Sequence, residues 1–180
     1  CHHYMSGMGM KSIVRRRKPN YVKNHAHKVF TNILNREFTV SKPNLIWATD
    51  FTYLPLADGT MHYNCTIIDL YDRSAVVTLN GASMTADLAL KTLRKALKRH
   101  HPGKGLILHS DQGSQFTSKE FTDFCEKNHV QQSMSRAGCP YDNAPMERFY
   151  NTLKHEYFNL RTFKELLSTD VRNFRIPTTV

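Results

Sequence analysis

Leu45-Ile46-Trp47-Ala48-Thr49-Asp50-Phe51-Thr52-Tyr53-Leu54 is the stretch on which the fold turns. Its β-branched and aromatic residues predict a strand, and it is too apolar for a strand lying on the surface. One carboxylate, Asp50, stands in the middle, and an ionised carboxylate in such surroundings needs a partner or a metal. Outward from this strand, Ala57-Asp58-Gly59-Thr60 carries a D-G turn signal and Met61–Leu70 reads as the antiparallel return strand. Asp72-Arg73-Ser74 makes a second turn and Ala75–Asn80 a third strand. Thr85–His100 places Leu88, Ala89, Leu93, Ala96 and Leu97 at helical spacing, with cations gathered toward its end as the helix dipole favours.

Pro102-Gly103 stops that helix, and Gly105–His109 is a short apolar run of the buried parallel-strand kind. Ser118–Asn128 reads as a helix capped by Thr117 or Ser118, and Val130–Ser133 as a fifth strand. Ser135–Tyr141 is a loop, and a long helix starts at Asn143 or Ala144 and runs to about Leu160. Hairpin strands followed by alternating helices and strands predict an α/β domain, a mixed five-stranded sheet flanked by helices.

The 180 residues fit one ordinary domain plus an extension, and 40% hydrophobic content is enough for a core. The formal charge of +10 favours a phosphate-rich partner. Residues 1–43 hold nine Lys/Arg against the single acid Glu37, whereas the other 137 residues carry 16 bases and 14 acids. The segment around Arg15, Arg16, Arg17 and Lys18 therefore reads either as a solvated arm or as a phosphate-binding element, and a disordered basic arm serves as both. Cys1, Cys65, Cys125 and Cys139 are widely spaced, which fits neither a disulfide framework nor a zinc pattern and suits a reducing cytoplasm. The histidines at 2, 3, 25, 27, 100 and 101 likewise lack zinc-ligand spacing. No apolar run approaches the roughly 18–20 residues of a membrane span.

Three acids from distant elements stand out. Asp50 lies within the first strand, Asp111 follows the fourth, and Glu147 falls in the first turn of the last helix. Sites in open α/β sheets form beyond the carboxyl ends of strands, where such residues can converge. Three carboxylates are what a protein needs to hold two Mg²⁺ ions about 3.5–4 Å apart for attack on a phosphodiester. Taken singly, each has a duller account: a strand residue facing solvent, a turn or cap residue, a first-turn helix acid. The loop Ser110-Asp111-Gln112-Gly113-Ser114-Gln115 is polar and holds a glycine, which suits close approach of a phosphate. Arg148 follows Glu147, and Lys154 lies two helical turns beyond Glu147 on the same face.

The motifs Trp47-Ala48-Thr49-Asp50-Phe51-Thr52-Tyr53, His109-Ser110-Asp111-Gln112-Gly113-Ser114-Gln115-Phe116, Ser133-Met134-Ser135-Arg136-Ala137-Gly138 and Tyr141-Asp142-Asn143-Ala144-Pro145-Met146-Glu147-Arg148-Phe149 occur in that order. With 35 residues between Asp111 and Glu147, the set resembles the catalytic core of insertion-sequence transposases of the retroviral-integrase type, the second-frame (OrfB) proteins of bacterial elements. The resemblance covers residues 45–160 and implies a ribonuclease H-like fold. It further implies that Asp50, Asp111 and Glu147 hold two Mg²⁺ or Mn²⁺ ions, and that Lys154 meets the transposon end. DNA, further copies of the chain and a first-frame (OrfA) protein are the implied partners, in the cytoplasm of a bacterium at the nucleoid.

By the same resemblance, residues 1–18 are the remnant of a helix-turn-helix DNA-binding module, 19–43 a basic linker and 44–165 the integrase-like core. Residues 166–180 depart from the family's pattern, as in a truncated copy. Two other readings remain at this stage: a ribonuclease H-like nuclease that only hydrolyses, and a DNA-binding remnant without catalysis.

Overall fold

The computed structural model describes residues 28–56 and 58–155, together with Gly7. Strands β1 (Ile46–Pro55), β2 (Met61–Asp69) and β3 (Ala75–Gly81) form an antiparallel meander. Helix α1 (Ala86–His100) then leads to β4 (Ile107–Ser110). Helices α2 (Ser114–Thr117) and α3 (Lys119–Lys127) lead to β5 (Gln131–Met134). A 3₁₀ turn, Pro140–Asn143, opens into α4 (Ala144–Leu153). The sheet order is β3-β2-β1-β4-β5, with β4 parallel to both β1 and β5. The mixed five-stranded sheet flanked by helices is thus the one the sequence predicts. Two short elements were not foreseen: the 3₁₀ turn Pro140–Asn143, and Ser114–Thr117, which inside the polar loop after β4 closes into a helical turn and drives Phe116 into the core.

Alternation along β1 gives the sheet two dissimilar faces. Trp47 and Phe51 pack with α1, α2 and α3 around Leu93, Phe116 and Phe121. Ala48 and Leu54 pack on the other face with Ile68, Leu70, Met146, Phe149 and Leu153 of α4. Each fully buried large side chain here contributes about 1.5–3 kcal/mol. Cys65 and Cys125 are core residues, and burial pushes both thiols up to about 12, so neither is a reactive thiolate. No described helix is long and apolar enough to cross a membrane.

The described part of the basic linker is attached to the domain. Leu34 is buried in the α4 cluster, Ile33 N–H donates to Ser133 Oγ at 3.0 Å, and Lys28 pairs with Glu126 at 2.9 Å. The near-neutral total of the core also conceals an arrangement. Between Asp87 and Asp111 there is no acid, and Lys91, Arg94, Lys95, Lys98, Arg99 and Lys104 are all exposed. Lys91 pairs with Asp87 and Arg94 lies over the Phe124 ring at 5.4 Å. Five of these cations, Lys91, Arg94, Lys95, Lys98 and Arg99, lie on α1.

Candidate active site

Parallel pairing explains why two of the acids meet. Ala48 is in register with His109, and two residues further along the two strands come Asp50 and Asp111. Asp50 shares its face of β1 with Ala48 and Leu54, the face that α4 covers. Its Oδ1 accepts from the Phe51 N–H at 2.7 Å. Burial, and then the charges of Asp111 and Glu147, push its pKa up to about 7, while Lys154 draws it back. One side chain therefore feels the other two acids and the lysine, so the structure brings all four of these sequence candidates into one neighbourhood.

Asp111 is open to solvent on one side yet packed closely enough on the other for desolvation to raise its pKa. The Gly113 N–H holds its Oδ1 at 2.9 Å, and a Cβ at Gly113 would stand 2.9 Å from that same oxygen and 2.6 Å from Gln115 Oε1. Position 113 must therefore be bare for the carboxylate to stay where it is. Glu147 is exposed in the first turn of α4, where an acid also suits the helix dipole. Lys154 is half-buried just past the helix end; desolvation lowers its pKa and Asp50 opposes the shift. Arg148 is exposed, and its charge acts on Arg73 of the β2–β3 turn. Arg15, Arg16, Arg17 and Lys18 lie outside the described residues, as do the continuation of the last helix to Leu160 and the tail at 166–180.

Three residues that the sequence did not single out build the frame. Tyr150 is buried; its hydroxyl donates to the Asp50 carbonyl at 2.6 Å and accepts from the Thr66 N–H at 3.2 Å. Asp50 and Thr66 are cross-strand partners, so this one hydroxyl fixes α4 to the point where β1 carries its carboxylate. His109 sits between Ser133 Oγ (2.9 Å), Ser135 Oγ (3.1 Å) and the Asp142 carbonyl (2.9 Å). A carbonyl only accepts, so Nε2 carries the proton and Nδ1 accepts from Ser133. Burial lowers the pKa of His109, which keeps this neutral tautomer. Asp142 is fully enclosed, and the guanidinium groups of Arg136 and Arg36 hold its carboxyl well below the usual range. The only sequence signal for Tyr150 was its place in the apolar stripe of α4; the others lay inside the motifs without an assignable role.

Hard carboxylate oxygens suit Mg²⁺ or Mn²⁺, and Asp50 and Asp111, both with raised pKa values, would be relieved by a divalent cation. Among the described residues no three His, Cys, Asp or Glu side chains close around a single point. The acids are an electrostatic cluster with the right donors rather than a finished coordination shell.

The family model described as the integrase core domain matches residues 40–140 of this chain. The chain belongs to the integrase core domain family. This integrase core is 41% identical over 128 residues to the transposase for insertion sequence element IS904 of Lactococcus lactis, covering 71% of the chain and 50% of that protein. It is 34% identical over 162 residues to the transposase InsF for insertion sequence IS3A of Escherichia coli, covering 89% of the chain and 56% of that protein. The chain thus spans about half the length of the curated relatives it matches. A chain of the simian T-cell lymphotropic virus intasome, solved with a PP2A regulatory subunit, superposes with a TM-score of 0.58 at 20% identity, covering 77% of this chain and 49% of that one. That likeness gives the integrase core its ribonuclease H-like fold. Asp50 and Asp111 fall inside the matched residues, and Glu147 lies beyond them.

Proposed function

We propose that this integrase core is the catalytic part of an insertion-sequence transposase, cutting element ends and joining them to target DNA with Asp50, Asp111 and Glu147 as ligands of two Mg²⁺ or Mn²⁺ ions. The observation that carries the reading is the parallel register that brings Asp111 at the end of β4 beside Asp50 of β1, on the face covered by α4, whose first turn bears Glu147. When bound, the two ions would activate the attacking water or DNA 3′-hydroxyl and stabilise the leaving oxygen. The chain's own part is to keep three like-charged carboxylates in one neighbourhood. Lys154, partly desolvated at the end of α4, meets a phosphate of the bound end more strongly than an exposed lysine would. Arg148 and the run Arg15–Lys18 add contacts to the DNA backbone. The partners are DNA ends, a target duplex, further copies of the chain and a first-frame protein, in the bacterial cytoplasm at the nucleoid.

The test is a labelled duplex of candidate element ends with Mg²⁺ or Mn²⁺. The parent chain nicks and transfers strands, and Asp50→Ala, Asp111→Ala and Glu147→Ala each abolish both while circular dichroism shows the fold intact. A variant that keeps its activity removes its residue from the site. Hydrolysis without strand transfer would make the chain a nuclease, and DNA binding without either would make it a remnant.

Gly113→Ala is expected to lower cleavage on the order of tenfold to a hundredfold, because the added methyl displaces the Asp111 carboxylate. Its cost in stability stays below about 1 kcal/mol, since flexible side-chain ends give way. Unchanged kinetics would show that Asp111 does not need its present position. Removal of the Arg15–Lys18 charges should weaken DNA binding and flatten the dependence of log affinity on log salt by about 0.9 per lost phosphate contact, with the chemical step unchanged. An unaltered slope takes that run out of the interface.

A further inference from the structure

The Asp142 carboxylate receives hydrogen bonds from three residues on two segments. Arg136 donates through its backbone N–H (3.1 Å), Nε (2.8 Å) and Nη2 (3.0 Å). Arg36 donates through Nε at 2.8 Å and Asn32 through Nδ2 at 3.0 Å. Its carbonyl takes the His109 Nε2–H at 2.9 Å. His109 is two residues before Asp111, and Asp142 is five before Glu147. The same imidazole reaches back through Ser133 Oγ to the Ile33 N–H, and Gln112, beside Asp111, donates to the Ser135 carbonyl at 3.0 Å. Every link therefore joins the loop of Asp111, the approach to α4, or residues 32–36. That last segment precedes residue 40, where the family match begins.

We propose that Asp142 is a positioning residue that sets Glu147 against Asp111, and that the segment Asn32–Arg36 is a working part of the site because it supplies two of the donors that hold Asp142. The inference rests on the metal-site reading above. Asp142 touches neither acid; it acts through two rigid routes, His109 toward Asp111 and the 3₁₀ turn toward α4. A carboxylate has four lone-pair directions fixed in one plane, so five donors from three residues on two segments leave it one orientation. Partners outside the coordination shell commonly decide whether the ligands stand where an ion needs them. A strap that only glued the chain together would need none of these links to His109.

The experiment is a double-mutant cycle on Mn²⁺ affinity, measured by isothermal titration on the full chain with Asp142→Asn, Glu147→Gln and the pair. Asp142→Asn is expected to weaken Mn²⁺ binding on the order of 10- to 100-fold, and the double variant to bind no more weakly than Glu147→Gln alone, since both remove the same ligand. Hydrogen exchange of the metal-free chain should speed up at Met146–Tyr150 in Asp142→Asn. Arg36→Ala keeps every Arg136 bond and guards against loss of folding; it should shift Mn²⁺ affinity in the same direction by a smaller factor, with Arg36→Lys recovering part of it. Folded Asp142→Asn or Arg36→Ala with the parent's affinity overturns the proposal, as do fully additive losses with Glu147→Gln. A parent that binds no Mn²⁺ overturns the metal-site reading and this inference with it, whereas a parent that binds with insensitive variants overturns this inference alone.

Discussion

An Asp50→Asn chain melts at a higher temperature than the parent at pH 8 and cuts no DNA. In the folded parent Asp50 holds its proton to about 7, against 3.8 ordinarily, because burial and the charges of Asp111 and Glu147 oppose ionisation. The unfolded chain releases that proton near the ordinary value. Between the two values the folded state binds more protons, so stability falls as pH rises through this window and the whole deficit persists above it. At about 1.4 kcal/mol per unit the deficit reaches up to about 4 kcal/mol at pH 8. Asparagine has nearly the same shape and no charge, so it removes the penalty together with the metal ligand. Thermal midpoints at pH 5 and pH 8 decide the matter: the parent should drop between them more than the variant. Adding Mn²⁺ should restore the parent at pH 8 and leave Asp50→Asn where it was. Parallel pH dependence in the two chains would mean that Asp50 is an ordinary surface carboxylate.

Tyr150→Phe is the second large effect, and it has the opposite sign for stability. The lost hydroxyl leaves the buried Thr66 N–H without the partner it had at 3.2 Å and frees the Asp50 carbonyl from a 2.6 Å bond. An orphaned buried donor costs about 1–3 kcal/mol, which lowers the thermal midpoint by several degrees in a domain of this size. Because the same hydroxyl fixes α4 to β1, cleavage should fall about tenfold beyond what partial unfolding explains. Kinetics at a temperature where both chains are fully folded separate the two effects. A destabilised variant with the parent's turnover would make Tyr150 a packing residue alone.

Much of this was legible in the chain itself. The strand around Asp50 announces itself because nine of ten consecutive residues suit a buried strand and one, Asp50, does not. The turn at Asp58-Gly59, the cap at Ser118 and the first-turn place of Glu147 are local events, governed by neighbours a few residues away. Other residues had no such signal. Tyr150 reads as one more member of the helical stripe Met146, Phe149, Tyr150, Leu153, and its hydroxyl finds partners 84 and 100 residues away. Asp142 reads as a turn residue before a helix, whereas its partners Arg36 and Asn32 come from 106 and 110 residues upstream. The basic face of α1 read simply as cations suited to a helix end.

By itself the sequence determined the five strands, the longer helices and their order, and marked three acids as candidates, because strand and helix patterning, capping and turn chemistry act over short range. Only the tertiary structure decided that Asp50 senses Asp111, Glu147 and Lys154 together, and that Asp142, His109 and Tyr150 bond to segments far from them in the chain. Charge and hydrogen bonding act through space, and the distances that set them exist only once the sheet has put distant segments side by side.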